Sequence, residues 1–266
     1  MTMIIADLRA TKSMLKKIRA MGTEDTAMML GDGKLHERCV DPAHVAMLDM
    51  TMKLENCDMK PVKIALNFER LFSRINLLPF GNINKPNDLE NKLRLELLMD
   101  GNEPNYLSFY HPMLVSPIKL ISSEGIPDAN IPSGCLDVDA IANINTRQFK
   151  LFLKIAEAET DRITLIADHK KGKLNASFSN DYEETVSSDL TYSLGGIEGI
   201  DLKFSNKDVK IAKSLFSIDY MASIVNLVNA PTIKIGLKTD NPLVIWWKEK
   251  DNLEGIYFLA PRIESD

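Results

Sequence analysis

Residues 256–266 read Ile-Tyr-Phe-Leu-Ala-Pro-Arg-Ile-Glu-Ser-Asp. An apolar run of strand composition stops at a proline, a lone arginine and an acidic tail. Aromatic and branched residues in this density fit a pleated, half-buried surface, so one reading has the run completing a sheet. The other has it presenting an apolar surface to something else, because exposed apolar groups beside a rigid elbow mark an interaction site. The rest of the chain has to decide between them.

Working outward, the chain repeats itself. Thr26-Ala-Met-Met-Leu30 with Lys34-Leu35, and Arg162–Ala167 with Gly172-Lys173-Leu174, each read as two short strands around a turn. Residues 65–75 parallel residues 217–227, with Asn67 and Asp219 each one position before an aromatic, where a helix N-cap sits. Leu93–Leu98 parallels Ile233–Leu237. The repeat predicts an α+β chain of two similar domains, residues 1–116 and 138–266. Between them, residues 117–137 hold three prolines and two glycines, which marks an extended connecting segment. Its apolar residues, Ile126 among them, predict that it lies against the protein surface.

Two of the helices carry basic faces. At about 100° per residue, Arg9, Lys12, Lys16 and Arg19 fall within an arc of roughly 80° on a helix starting at Leu8. Behind a Thr146 cap, Arg147, Lys150 and Lys154 share a similar arc, and Arg70 and Arg74 stand four apart on another helix. A single charged face is ordinarily just solvated. Here, however, no acid falls between Arg9 and Arg19, although the 37 acids outnumber the 32 bases and the net charge is −5. Solubility alone favours mixed-sign faces, so acid-free faces in an acidic protein point to a polyanion partner. The helix near Asp219 carries no base.

Composition is that of an ordinary globular protein, 45% hydrophobic and 26% charged. Three widely spaced cysteines argue against a disulfide scaffold and fit a reducing compartment. The first residues lack a basic leader and a cleavage signal and are read as mature structure. Gly31-Asp-Gly33-Lys34 lacks phosphate-loop spacing and sits in a hairpin. His36, Cys39 and Cys57 do not have zinc spacing, and Asp41 and Asp49 have nothing converging on them. No catalytic residue, metal or cofactor is expected.

Taken in order, Val40–Asp49, Leu215–Ile224, Asp240–Ile245 and above all Phe258–Glu264 resemble the DNA sliding clamps of the proliferating cell nuclear antigen (PCNA) family, archaeal type. Gly125-Ile-Pro127 sits where that family's connecting loop carries a similar tripeptide. The resemblance covers almost the whole chain. It implies the DNA-clamp fold, with helices inside and antiparallel sheets outside, and a homotrimeric ring around duplex DNA. Arg9, Lys12, Lys16, Arg19, Arg70, Arg74, Arg147, Lys150 and Lys154 would meet phosphates without reading bases. It also implies a pocket for clamp-binding peptides, to which Val40, His44, Val45 and Met47, Ile126 and Pro127, and Pro242, Phe258, Ala260, Pro261 and Ile263 would contribute. DNA polymerase, clamp loader, flap nuclease and DNA ligase would be the partners, in the cytoplasm at the nucleoid if archaeal, in the nucleus if eukaryotic. Ring closure is expected between edge strands at Tyr106–Leu114 and Lys173–Asn180. The alternatives are one subunit of a mixed replicative or checkpoint ring and, remotely, a polyanion-binding enzyme. The base-free helix near Asp219 and the long residue 78–92 stretch depart from the family pattern.

Overall fold

A computed structural model describes residues 4–81, 89–101, 103–126, 128–178, 192–193, 201–205, 208–250 and 252–262. The chain divides into two compact units, residues 1–129 with 249–255, and residues 130–248 with 256–266. None of the described helices is long and apolar enough to cross a membrane.

The first unit runs β1 (Ile4–Asp7), α1 (Leu8–Ala20), β2 (Asp25–Gly31), β3 (Lys34–Val40), β4 (Ala46–Lys53), β5 (Val62–Asn67), α2 (Phe68–Asn76), β6 (Lys92–Asp100), β7 (Glu103–His111) and β8 (Leu114–Lys119). Its strands form two antiparallel runs, β1-β6-β7-β8 and β4-β3-β2-β5. Alternation sets which side chains go inward: in β6, Leu93 and Leu95 are buried while Arg94 is exposed. The apolar sides of α1 and α2 join them, and one small gap in this core is lined by Met14, Met28, Leu71, Leu95 and Phe109. Asp7 caps α1, its Oδ1 accepting from the N–H of Arg9 at 2.8 Å and of Ala10 at 2.9 Å. Asn67 caps α2 in the same way through Arg70, at 3.1 Å. The β2–β3 turn takes positive φ at both Asp32 (47°) and Gly33 (71°), the geometry that matches hairpin twist.

The second unit runs β9 (Ala140–Asn145), α3 (Thr146–Glu157), β10 (Arg162–Asp168), β11 (Lys173–Phe178), β12 (Tyr192–Ser193), β13 (Asp201–Phe204), β14 (Ile211–Ser217), α4 (Ile218–Val225), β15 (Thr232–Leu237), β16 (Leu243–Lys248) and β17 (Leu253–Leu259). Its strand orders, β12-β11-β10-β14 and β9-β15-β16-β17, repeat those of the first unit, with β13 added beside β9. The first three residues of β17 group with the first unit.

Three local expectations change. The cap of α3 is Asn145, which accepts from Gln148 N–H at 3.1 Å, and Thr146 is already helical and buried. The N-cap of α4 is Ser217, two positions before Asp219, and its side chain makes no capping bond. Finally, Tyr106–Leu114 is no edge: β7 is paired with β6 on one side and β8 on the other, so the open edge is β8.

The terminal apolar stretch does complete a sheet, since β17 lies beside β16 with Tyr257, Phe258 and Leu259 buried. Beyond it, Arg262 N–H donates to Leu215 O of β14 at 2.8 Å, and its guanidinium reaches Asp161 Oδ2 at 2.7 Å. The lone arginine thus lays the elbow along β14. Ile263 and the acidic tail lie outside the described residues.

Candidate nucleic-acid and partner-binding surfaces

The expected phosphate-contacting residues separate by what their charged groups already hold. Lys12 is buried, and its ammonium donates to Asn76 O at 3.0 Å and to Leu78 O, at the C-terminal end of α2. Lys150 does the same in the second unit, donating to Asn226 O at 2.9 Å and Val228 O at 2.7 Å beyond α4. Each is the fifth residue of its helix. Carbonyls at a helix C-terminus have no intrahelical partner and carry the negative end of the dipole, so an ammonium there satisfies both. Burial, and then the neighbouring Lys16, lowers the pKa of Lys12. These two lysines tie helix to helix.

Arg74 is likewise engaged, Nη1 donating to Ser116 Oγ at 2.7 Å and Pro117 O at 2.8 Å. Arg19 lies over the Phe72 ring at 4.4 Å and faces Glu69 at 3.4 Å. Arg9 is half-buried, its guanidinium 5.5 Å from the centre of the Phe80 ring. Lys16 and Arg70 in the first unit, and Arg147 and Lys154 in the second, are exposed and make no ion pair among the described residues. α4 offers Asp219 and no base.

The expected pocket residues fall in both units. In the first, the β3–β4 turn is built by Asp41, whose carboxylate accepts from the N–H of Ala43 at 3.1 Å, Val45 at 2.7 Å and Ala46 at 2.5 Å. That network holds exposed His44 at a φ of 57°, a left-handed conformation unusual for histidine. Val40 and Met47 are paired across the turn, with Met47 buried and Val45 half-buried. Ile126 is half-buried, and Pro127 lies outside the described residues. In the second unit Pro242, Ala260 and Pro261 are half-buried, whereas Phe258 is a core residue.

Sequence reading missed two charged clusters. Lys17 is wholly buried, its Nζ 2.7 Å from Glu249 Oε1 and 2.6 Å from Ser13 Oγ, while Ser13 donates to Glu249 Oε2 at 2.8 Å. Helix periodicity could not foresee this, because the partner comes from 232 residues away. On β3, His36 Nε2 lies 2.9 Å from Asp49 Oδ1, and Arg38 Nε donates to Asp49 Oδ2 at 2.6 Å. Burial alone would raise the Asp49 carboxyl, but the hydrogen bonds from His36 and Arg38 outweigh it and hold the pKa below the ordinary value. A signal existed: two basic residues spaced by two on a strand, with an acid on the strand that follows the turn.

No family model matches the chain. It is 25% identical over 270 residues to the DNA polymerase sliding clamp of Methanothrix thermoacetophila, covering 98% of each chain. It is 20% identical to DNA polymerase sliding clamp 1 of Sulfolobus acidocaldarius over 99% of this chain and 100% of that one. Its fold superposes on Archaeoglobus fulgidus PCNA, solved with the C-terminal region of FEN-1, at a TM-score of 0.76, 20% identity and full coverage of both chains. PCNA of Thermococcus kodakaraensis gives 0.76 at 21% identity over 98% of this chain and 100% of that one.

Over its whole length the chain is similar to archaeal DNA polymerase sliding clamps, and its fold is that of the PCNAs. Each unit carries a helix pair whose first helix spends its fifth residue, a lysine, on packing, beside exposed basic residues that make no ion pair among the described residues: Lys16 and Arg70 in the first unit, Arg147 and Lys154 in the second.

Proposed function

We propose that this clamp closes head to tail into a homotrimeric ring around duplex DNA and tethers replication and repair enzymes through their clamp-binding peptides. The observation that carries the DNA reading is the recurrence, once per unit, of a helix pair with exposed, unpaired cations in a protein of net charge −5. Cations of that kind give sequence-independent attraction to phosphates and leave the duplex free to slide. The phosphate-facing set is Lys16, Arg70, Arg147 and Lys154, with Arg9 and Arg19 at its margin. Lys12, Arg74 and Lys150 act by fixing the helices that carry the others.

Replacing Lys16 and Lys154 by glutamate tests this. Binding to a fluorescent duplex should weaken, and the slope of log K against log salt should become shallower by about 1 for each phosphate that is no longer neutralised. An unchanged slope would place DNA elsewhere.

Polymerase, clamp loader, flap nuclease and ligase are the partner class, taken up through exposed and half-buried groups of each unit. In the first unit these are His44, Val45 and Ile126, and in the second Pro242, Ala260 and Pro261. The crystallised A. fulgidus PCNA holds the C-terminal region of FEN-1, which supports a peptide as the ligand. Truncating Ile126 and Pro261 to alanine together should weaken such a peptide about tenfold or more. A mixed ring is the second reading, favoured by the likeness to the PCNA2–PCNA3 complex of Sulfolobus tokodaii, TM-score 0.74 at 18% identity. The mass of the purified chain in solution separates the two, since only self-assembly yields a trimer from one chain.

A further inference from the structure

Residues 121–128 leave the first unit's surface and return to it on the same strand. Ile121 N–H donates to Ala65 O of β5 at 2.9 Å, and Lys63 of β5 reaches Asp128 Oδ1 at 2.6 Å. Between these two stems the chain turns, Ile126 N–H donating to Ser123 O at 3.2 Å. One residue further, Ala129 O accepts from Arg38 Nη1 at 3.3 Å. Arg38 is not a loose donor. Asp49 grips its Nε at 2.6 Å and its Nη2 at 2.5 Å. This fork leaves Nη1 aimed at the segment, and Asp49 is itself fixed by His36.

We propose that Arg38 of β3, set by Asp49, and Lys63 of β5 form an ionic clasp that holds the segment from Ile121 to Ala129 against these strands, so that Ile126 is already in place when a partner peptide arrives. The proposal rests on the reading of Ile126 as part of the peptide-binding surface. Its content is a division of labour. Apolar groups supply the contact with the peptide, and these charges, remote from it, supply the order of the segment beforehand. Ordering a segment before binding removes an entropy cost that otherwise subtracts from affinity. The two arms differ in strength. Asp128 is 77% exposed, so its pair with Lys63 is screened by salt. The Asp49–Arg38 fork is mostly shielded, with side chains 12% and 28% exposed. The clasp is thus a firm point at Ala129 and a salt-sensitive one at Asp128.

A sign follows that ordinary apolar docking does not share. Salt strengthens apolar burial, but it should weaken the Lys63–Asp128 arm. The experiment combines amide hydrogen exchange over residues 121–129 with calorimetric titration of a peptide copying the C-terminal region of FEN-1. Lys63→Met should speed exchange in the segment and weaken the peptide about threefold. Adding Arg38→Met should bring both effects to about tenfold. The charge swap Lys63→Asp with Asp128→Lys should restore both to near wild type, which a merely structural loss would not do. High salt should speed exchange in the wild type and not in Lys63→Met. Unchanged exchange in the double variant overturns the clasp. Faster exchange with unchanged peptide affinity overturns its role in binding. If the wild type itself binds no peptide, the peptide-surface reading has failed, and exchange alone decides whether the clasp exists.

Discussion

Glu37 stands in the inward register of β3, between Leu35 and Cys39, and it is 1% exposed. Thr26 donates to its Oε1, while Oε2 has no hydrogen-bond partner among the described residues. Burial pushes its pKa up to about 8, the Thr26 hydrogen bond pulling the other way and Asp49 adding to the rise. At neutral pH the folded protein therefore holds Glu37 mainly as the uncharged acid, while the unfolded chain has already released that proton. Folding binds a proton, so this group's contribution is whole below its unfolded pKa near 4.5, declines as pH rises, and is lost above about 8. A shift of that size corresponds to at most about 5 kcal/mol, at ~1.4 kcal/mol per unit. Glu37→Gln keeps a partner for Thr26 and removes the titration. Its melting temperature should fall less than that of wild type between pH 6 and pH 9, as read by calorimetry. Parallel curves for the two proteins would show that Glu37 is not the group responsible.

At the scale of elements, Lys12 and Lys150 show how much a helical wheel can say. The wheel puts both in the basic arc, and they are there. It cannot tell a lysine that projects into solvent from one whose four methylenes bring the ammonium to the next helix, because the wheel contains no second helix. Hairpins and the two-fold repeat were legible because alternation and turn residues are local, as at Asp32-Gly33. The β7–β8 pairing was misjudged because Pro117 reads as a linker residue, yet it fits in β8 opposite Ser108. The β3–β4 turn at His44 was legible only through the resemblance to sliding clamps. Neither the 53–62 connection nor the clasp on residues 121–129 leaves a periodic trace. The lysine ties themselves make a prediction. Lys12→Met preserves the methylene packing but orphans the Asn76 and Leu78 carbonyls, and it should cost about 1–3 kcal/mol in denaturant unfolding. Lys16→Glu, exposed on the same helix, should stay within about 0.5 kcal/mol. Equal costs would mean that the Lys12 bonds contribute nothing. Reversal of Lys12 is therefore a poor probe of DNA binding, since it confounds helix packing with phosphate neutralisation.

For the whole molecule, the proposed ring closure needs one open edge in each unit. β8 is the outer strand of β1-β6-β7-β8, and it pairs with β7 alone among the described residues. In the second unit, β12 covers β11 only at Ser177 and Phe178, leaving the stretch before them unpaired by β12 among the described residues. Leu120 N–H donates to Asn105 O of the β7 side at 2.8 Å. By antiparallel alternation, the N–H groups of Ser116 and Ile118 then also face β7, and those of Val115 and Lys119 face outward. Pro117 has no N–H to offer at that edge. Val115, 64% exposed, is therefore a place where proline deletes an outward donor without touching a bond to β7. Val115→Pro should leave the circular dichroism of the chain and its binding of a clamp-binding peptide intact, because neither uses that edge. In light scattering at low micromolar concentration it should shift the species from the proposed trimer to a single chain mass. A matching proline at Asn175 on β11 is a weaker probe, because its N–H lies within the pairing with Ile166 of β10. Should Val115→Pro remain a ring, closure does not run through the β8 edge, and the side-chain contacts flanking it would have to hold the copies together.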